Sequence, residues 1–116
     1  MGTLLICAAG QIMGTIAFVK AGCYDALEVG YTVFDESNRN KGFATEALFL
    51  FSKYQFSTRK VNRLQVSINP GNAPSKRVAE KCGFTFEGIL REALFTHGEY
   101  QDVAVYSLLR DDVNKM

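Results

Sequence analysis

Arg63 to Asn69 alternates cleanly, with Leu64, Val66 and Ile68 on one face and Arg63, Gln65, Ser67 and Asn69 on the other. That period of two is the signature of a strand with one buried face. Thr3 to Ala8 and Ile12 to Val19 are apolar runs around Ala9-Gly10-Gln11, which predicts a hairpin, and Leu27 to Phe34 predicts a third strand. The period changes after Gly42. From Phe43 to about Ser57, Ala44, Ala47, Leu48 and Phe51 recur at helical spacing, while Phe49, Leu50 and Phe56 widen the stripe, so this helix is expected to be buried on more than one side. A shorter helix is well punctuated: Asn72 is a good N-cap, Pro74 fits the first turn, and Gly83 can take the left-handed conformation that ends the helix after Cys82. Phe84 to Phe95 and Tyr100 to Leu109 flank Thr96-His97-Gly98-Glu99 as a long final hairpin. The strand, helix, strand, helix, strand order in the middle implies parallel pairing there and antiparallel pairing at both ends. The expected fold class is α/β, a mixed sheet with two helices.

The 116 residues, 47% hydrophobic and 22% charged, allow one globular domain, residues 1–116, with one modest core. Thirteen Lys plus Arg against 12 Asp plus Glu leave a net charge of +1, which excludes the broad electrostatic footprint of a nucleic-acid binder. Any anion binding must therefore be local. Cys7, Cys23 and Cys82 are odd in number and lack paired metal spacing, so reduced thiols in a cytoplasm are expected, with no disulfide framework and no metal. A single histidine, His97, excludes a histidine-based metal cluster; it reads as a turn residue, and Tyr106 as core. The first nineteen residues are apolar but carry no basic start and are interrupted by Gly10, Gln11 and Gly14, which argues against a signal peptide or a membrane span.

One stretch carries chemistry. In Ser37-Asn38-Arg39-Asn40-Lys41-Gly42-Phe43-Ala44-Thr45-Glu46-Ala47 a basic loop runs into a helix with no side-chain bulk at the junction. The first amides of a helix point outward unpaired, the dipole favours an anion there, and Gly42 and Ala44 let backbone approach phosphate oxygens. Arg39 and Lys41 add charge at the same place. The Gly-Lys-Ser/Thr of a nucleoside-triphosphate loop and the three spaced glycines of a dinucleotide fingerprint are both absent, so a nucleotide-binding module is disfavoured. The plain alternative is a surface turn.

Arg39-x-x-Gly42-x-Ala44 following Glu28-Val29-Gly30-Tyr31-Thr32-Val33 resembles the acyl-CoA pyrophosphate motif of the GNAT superfamily of N-acetyltransferases. Asn69-Pro70-Gly71-Asn72-Ala73-Pro74-Ser75, running to Cys82-Gly83-Phe84, is similar to the later cofactor segment of that superfamily. Ser75 three residues after Asn72, and the tail from Tyr100 to Leu109, are most similar to the Rim-type branch, the ribosomal-protein acetyltransferases and their small-amine relatives. The resemblance covers most of the chain.

It implies a GNAT-like fold and an acetyl-CoA-dependent N-acetyltransferase acting on a protein N-terminus or a small amine. Strand backbone at Thr32, Val33 and Phe34 is expected to pair with the pantetheine arm, where the strand splays from its neighbour, and Gly30 is compatible with a bulge at that point. Arg39, Asn40, Lys41, Gly42, Phe43, Ala44 and Thr45 would wrap the pyrophosphate; Asn69 and Asn72 would bond the pantetheine amides. Ser75 shares a helical face with Val78, Ala79 and Cys82, and its hydroxyl is the candidate acid for the departing thiolate. Many relatives use a tyrosine where this chain has Ala79. Glu28 is the candidate base; other relatives place an acid on the strand after the second helix, where this chain has Glu92, Ala93 and Leu94. Lys76, Arg77 and Lys81 form a basic face for the 3′-phosphate of CoA, with a solvated face as the simpler account of Arg77. Relatives begin with a strand and two helices before the opening hairpin, so the chain reads as N-terminally shortened. The apolar surface this exposes motivates an expected homodimer. The rival to an enzyme is a non-catalytic acyl-CoA-binding domain.

Overall fold

The computed structural model describes residues 2–8, 10–22, 25–33 and 42–114. Six strands form one sheet: β1 (Gly2–Ala8), β2 (Gln11–Lys20), β3 (Ala26–Val33), β4 (Arg63–Ile68), β5 (Thr85–Thr96) and β6 (Glu99–Leu109), in the order β1-β2-β3-β4-β6-β5. Among the described residues three helices accompany them: α1 (Phe43–Thr58), α2 (Ala73–Lys81) and α3 (Arg110–Asn114). The mixed sheet is as expected, with β3 and β4 parallel and every other neighbouring pair antiparallel.

Two features depart from the sequence reading. The second crossover, from β4 through α2 to β5, skips a position, and β6 inserts between the two strands and pairs antiparallel with both. The chain also adds α3, where the Leu109 amide donates to the Asp112 carboxylate at 2.9 Å and starts a turn too short for a periodic signal.

The core lies under one face of the sheet. Leu64, Val66 and Ile68 of β4 meet Leu27 and Val29 of β3, Ile16 and Phe18 of β2, and Leu48, Phe51 and Phe56 of α1. Alternation selects these faces, since each residue two along a strand returns to the same side. α1 buries Ala44, Leu48, Phe51, Ser52, Gln55 and Phe56 but leaves Leu50 57% exposed, so its stripe is narrower than the apolar residues alone suggest. Ser52 is accommodated by donating to the Leu48 carbonyl at 2.7 Å, as a buried hydroxyl must find a partner. β6 is buried from Val103 through Leu108, on both faces. On the face away from the helices, Glu87 of β5 accepts from Ser107 of β6 at 2.5 Å and from Arg63 of β4 at 2.9 Å, a polar tie across three strands.

No bulge interrupts β3 at Gly30. The β2–β3 ladder runs in register from Lys20↔Leu27 to Gly14↔Val33, with Ala17 opposite Gly30. The irregularities lie instead at Ile6/Cys7 and in β5 at Phe86/Gly88 and Leu90/Leu94.

Candidate active site

What β3 does on its other side positions the site. Its pairing with β4 comprises Ala26↔Arg63, Leu27↔Leu64 and Glu28↔Gln65, after which β3 continues to Val33 and β4 to Ile68 without further pairing among the described residues. The two strands fork. Past the fork the edge of β3 carries peptide groups with no strand opposite, and such groups need another partner when water is displaced.

Both longer helices begin at this opening. α1 starts from Gly42, which sits at φ 78° in the left-handed region glycine adopts at low cost, and no side chain caps the helix. Its first intrahelical bond is Glu46 N–H to Gly42 C=O at 3.0 Å, so the amides of Phe43, Ala44 and Thr45 precede the ladder. A Cβ built on Gly42 would meet nothing within 4 Å, so the space beside it is open. α2 starts from Asn72, whose Oδ1 accepts from the Ser75 amide at 3.2 Å, with Pro74 in the first turn. A cavity of about 370 Å³ lies between these helix starts and the forked strand. It is lined by Tyr31 and Thr32 from β3, Gly42, Ala44 and Thr45 from α1, and Asn72, Pro74, Ser75, Arg77, Val78 and Lys81 from α2 and its lead-in.

Of the residues singled out by sequence, the cavity thus collects Thr32, Gly42, Ala44, Thr45, Asn72, Ser75 and Lys81. Phe43 turns half inward and packs against the core instead. Val33 ends β3 opposite Gly14. Asn69 stands outside the wall: its Oδ1 accepts from the Gly71 amide at 2.8 Å and its carbonyl from the Asn72 amide at 2.8 Å, so its two oxygens close the turn before α2. Glu28 is not in the wall either. It occupies the last paired position before the fork, half-buried, on the face opposite Leu27 and Val29. Glu92 and Leu94 lie on β5, exposed, and Glu92 donates its amide to the Asp102 carboxylate at 2.9 Å. Phe34, Arg39, Asn40 and Lys41 lie outside the described residues.

Three further features bear on the chemistry. Ser75 is half-buried and its hydroxyl makes no hydrogen bond among the described residues, while Ala79 and Cys82 on the same face are buried in the core. Burial pushes the Cys82 thiol up to about 11, keeping it a neutral donor to the Thr45 carbonyl at 3.2 Å. Lys76 Nζ is taken up by the Pro70 carbonyl at 3.1 Å, leaving Arg77 and Lys81 as the cations of the cavity wall. Arg77 reads from sequence as a solvated residue, and it is exposed, at the rim of the cavity that α2 lines. Pro74, Val78 and Tyr31 line the wall without a site role in the sequence, and of these Tyr31 carries a hydrogen-bonding side chain. Alternation places it on the helix-facing side of β3, but its partner is 44 residues away.

A forked parallel pair with a free strand edge, two helix starts and basic residues around a cavity can offer backbone hydrogen bonds and positive charge to an extended anion. Known proteins resemble the chain in sequence and in overall fold. The sequence profile described as "Acetyltransferase (GNAT) domain" matches residues 1–85. The probable N-acetyltransferase YjcK of Bacillus subtilis is 33% identical over 104 residues, covering 88% of this chain and 57% of YjcK. The ribosomal-protein-serine acetyltransferase of Escherichia coli is 28% identical over 102 residues, covering 87% of this chain and 56% of that protein. The structure of Mycobacterium smegmatis RimJ in complex with CoA-disulfide superposes with a TM-score of 0.82 at 26% identity, covering 90% of this chain and 50% of that one. The chain spans little more than half the length of the curated relatives it matches. It belongs to the GNAT acetyltransferase family, and its relatives include ribosomal-protein acetyltransferases of the Rim type.

Proposed function

We propose that this chain binds acetyl-CoA in the forked cavity and transfers the acetyl group directly to a primary amine in a ternary complex. The observation that carries the reading is the fork itself, opening toward two helix starts with Ser75 on its wall. The free edge of β3 at Thr32 and Val33 pairs with the pantetheine amides, and Asn72 faces the same arm. The first amides of α1 hold the pyrophosphate, where the helix dipole and the open space at Gly42 favour an anion. Lys81 and Arg77 serve the remaining phosphate.

The thioester supplies an already activated acyl carbon, so the protein must orient, polarise and move protons. Glu28, at the apex of the fork, takes a proton from the ammonium. The amine then attacks, the C–N bond forms and the C–S bond breaks. Ser75 Oγ–H protonates the departing sulfur, the second N–H proton of the tetrahedral intermediate passes to solvent, which restores the Ser75 hydroxyl, and Glu28 releases the first, so the net products are amide, CoA thiol and one proton. The similarity to a ribosomal-protein-serine acetyltransferase makes a protein substrate the first acceptor class to test, with small amines second. Self-association is part of the same reading, and light scattering at micromolar concentration is expected to give the mass of two chains.

Calorimetric titration with acetyl-CoA, followed by thiol release on adding a panel of amines and peptides, tests the proposal. Binding with release is expected. Ser75→Ala is expected to slow turnover about a hundredfold, within the usual range for an acid catalyst, with acetyl-CoA affinity nearly unchanged. An equal rate would remove Ser75 from the mechanism. Binding without release favours the non-catalytic acyl-CoA-binding rival, for which the position of Glu28 outside the cavity wall speaks.

A further inference from the structure

We propose that Tyr31 is a positioning residue that acts through Ser75: its phenol ties the first turn of α2 to β3 across the fork and so holds the Ser75 hydroxyl at the cavity wall. The Tyr31 O–H donates to the Ser75 carbonyl at 2.9 Å. This inference rests on the reading of Ser75 as the acid.

The need for such a tie follows from the fork. After Glu28↔Gln65 no ladder fixes the distance between β3 and the chain that follows β4, so the sheet does not determine where α2 begins. The other hydrogen bonds at that end of α2 are local. Asn72 accepts from Ser75 within the cap, and Lys76 reaches back to Pro70 in the preceding turn. The second long-range hydrogen bond to this segment lies past the far end of the helix, where the Cys82 thiol donates to Thr45. Among the described residues, then, α2 has one hydrogen-bonded tether at each end, and the one beside Ser75 is the Tyr31 phenol.

The chemistry of the phenol fits a tether better than a proton carrier. Burial holds its pKa well above the ordinary tyrosine range, with Cys82 and Tyr106 adding to the shift, so the hydroxyl remains a donor throughout the neutral range. Its proton is directed at a backbone carbonyl, which takes no part in acid–base exchange near neutrality. The Ser75 carbonyl has a second lone pair available for this bond beyond the one the helix uses. The ring lies in the cavity wall and packs against the core, so a phenylalanine would preserve the packing and remove the tie alone.

The test is a double-mutant cycle of Tyr31→Phe and Ser75→Ala, read as kcat and KM for acetyl-CoA, with amide exchange of the unliganded chain alongside. Tyr31→Phe alone is expected to lower kcat about tenfold, the size of one lost hydrogen bond at a positioned group, with KM changed less than about threefold. In the Ser75→Ala background the same substitution is expected to change kcat by less than about twofold, because nothing remains for the tether to position. Multiplying losses would overturn the proposal, since a merely structural residue harms both backgrounds alike. A slow Ser75→Ala with a normal Tyr31→Phe sinks the tether and leaves the acid reading standing. A normal Ser75→Ala sinks both. Independently of turnover, Tyr31→Phe is expected to speed exchange of the amides from Lys76 to Ala79 about tenfold while strand amides keep their protection. Unchanged exchange there would show that the phenol holds nothing.

Discussion

The two ends of α1 are treated in opposite ways. At its C-terminus the helix has no basic residue in the last turn, and Arg110, from just beyond β6, supplies the missing donors: its guanidinium bonds the carbonyls of Phe56, Arg59 and Val61 and stacks on the Phe56 ring at 5.4 Å. Its backbone amide also donates to Asn62 at 3.0 Å. At its N-terminus, Gly42 offers no side chain, and the first amides face an open cavity. A helix end left bare is a cost to folding, and a helix end clamped by one arginine is a gain. The difference teaches where to look for function in a small fold: the unsatisfied backbone groups mark the side on which the proposed ligand would sit, and the satisfied ones mark what holds the scaffold without it.

The sharpest way to break the contrast is to fill the bare end. Gly42→Val places a branched side chain where φ is 78° and where the proposed phosphate sits. Acetyl-CoA binding is expected to disappear in calorimetry, with a stability loss of about 1–2 kcal/mol from the left-handed backbone. Retained affinity would remove the bare helix start from the site. Next in size, Arg110→Ala is expected to cost about 2–3 kcal/mol, or roughly 10 °C in Tm, while the affinity of the folded protein for acetyl-CoA stays within about twofold. If binding fell as far as stability, the two ends would not be separable. A third measurement concerns the tie between the bare end and α2. The Cys82 thiol has its pKa raised from the ordinary 9.0 to about 11, first by burial. A raised value favours the protonated form in the fold, so its contribution is complete below about pH 9 and declines as pH rises from there toward 11. Cys82→Ala is expected to flatten that part of a denaturation profile, and an unaltered slope would mean the thiol is not what titrates. The smallest effect lies on the opposite face. Glu87 is held below its ordinary carboxylate value by Ser107 first and Arg63 second, so its contribution is present above about pH 4.5 and lost as pH falls through the lowered value. Because the group is 44% exposed, Ser107→Ala is expected to change acid stability only slightly, read as a small shift of the acid midpoint with no change in ligand affinity.

Much of the fold was legible in the sequence, for identifiable reasons. The alternation of Leu64, Val66 and Ile68 and the punctuation by Asn72, Pro74 and Gly83 are local signals, and the structure places them accordingly, with Gly83 at φ 87° after α2. Insertion of β6 between β4 and β5 was not legible, because strand order depends on pairings between distant segments that no local period encodes. The site divides the same way. Gly42, Ala44, Thr45, Asn72 and Ser75 stand in two short motifs, each with its own local chemistry, and the cavity gathers them. Tyr31 and Arg110 were missed since each acts on a backbone carbonyl many residues away, and a carbonyl has no identity in a sequence. Asn69 lies outside the cavity wall because its Oδ1 closes the turn before α2, the ordinary local use of an asparagine at a strand end. The Asp112 bond to the Leu109 amide is the one overlooked signal with a local spacing, half of a capping box that begins α3.

The fork also decides how this molecule comes apart. Three residue pairs are the whole of the strand pairing that joins the β1-β2-β3 meander to the β4-β6-β5 block among the described residues. Pulled or heated, the chain is expected to part first along that seam, into two cooperative units bridged chiefly by α1. A ligand lodged in the gap would lie where a further stretch of strand pairing is missing and would join the two units. Its concentration would then set the melting temperature as directly as any mutation, through the mass-action term that rewards whatever binds only the closed form.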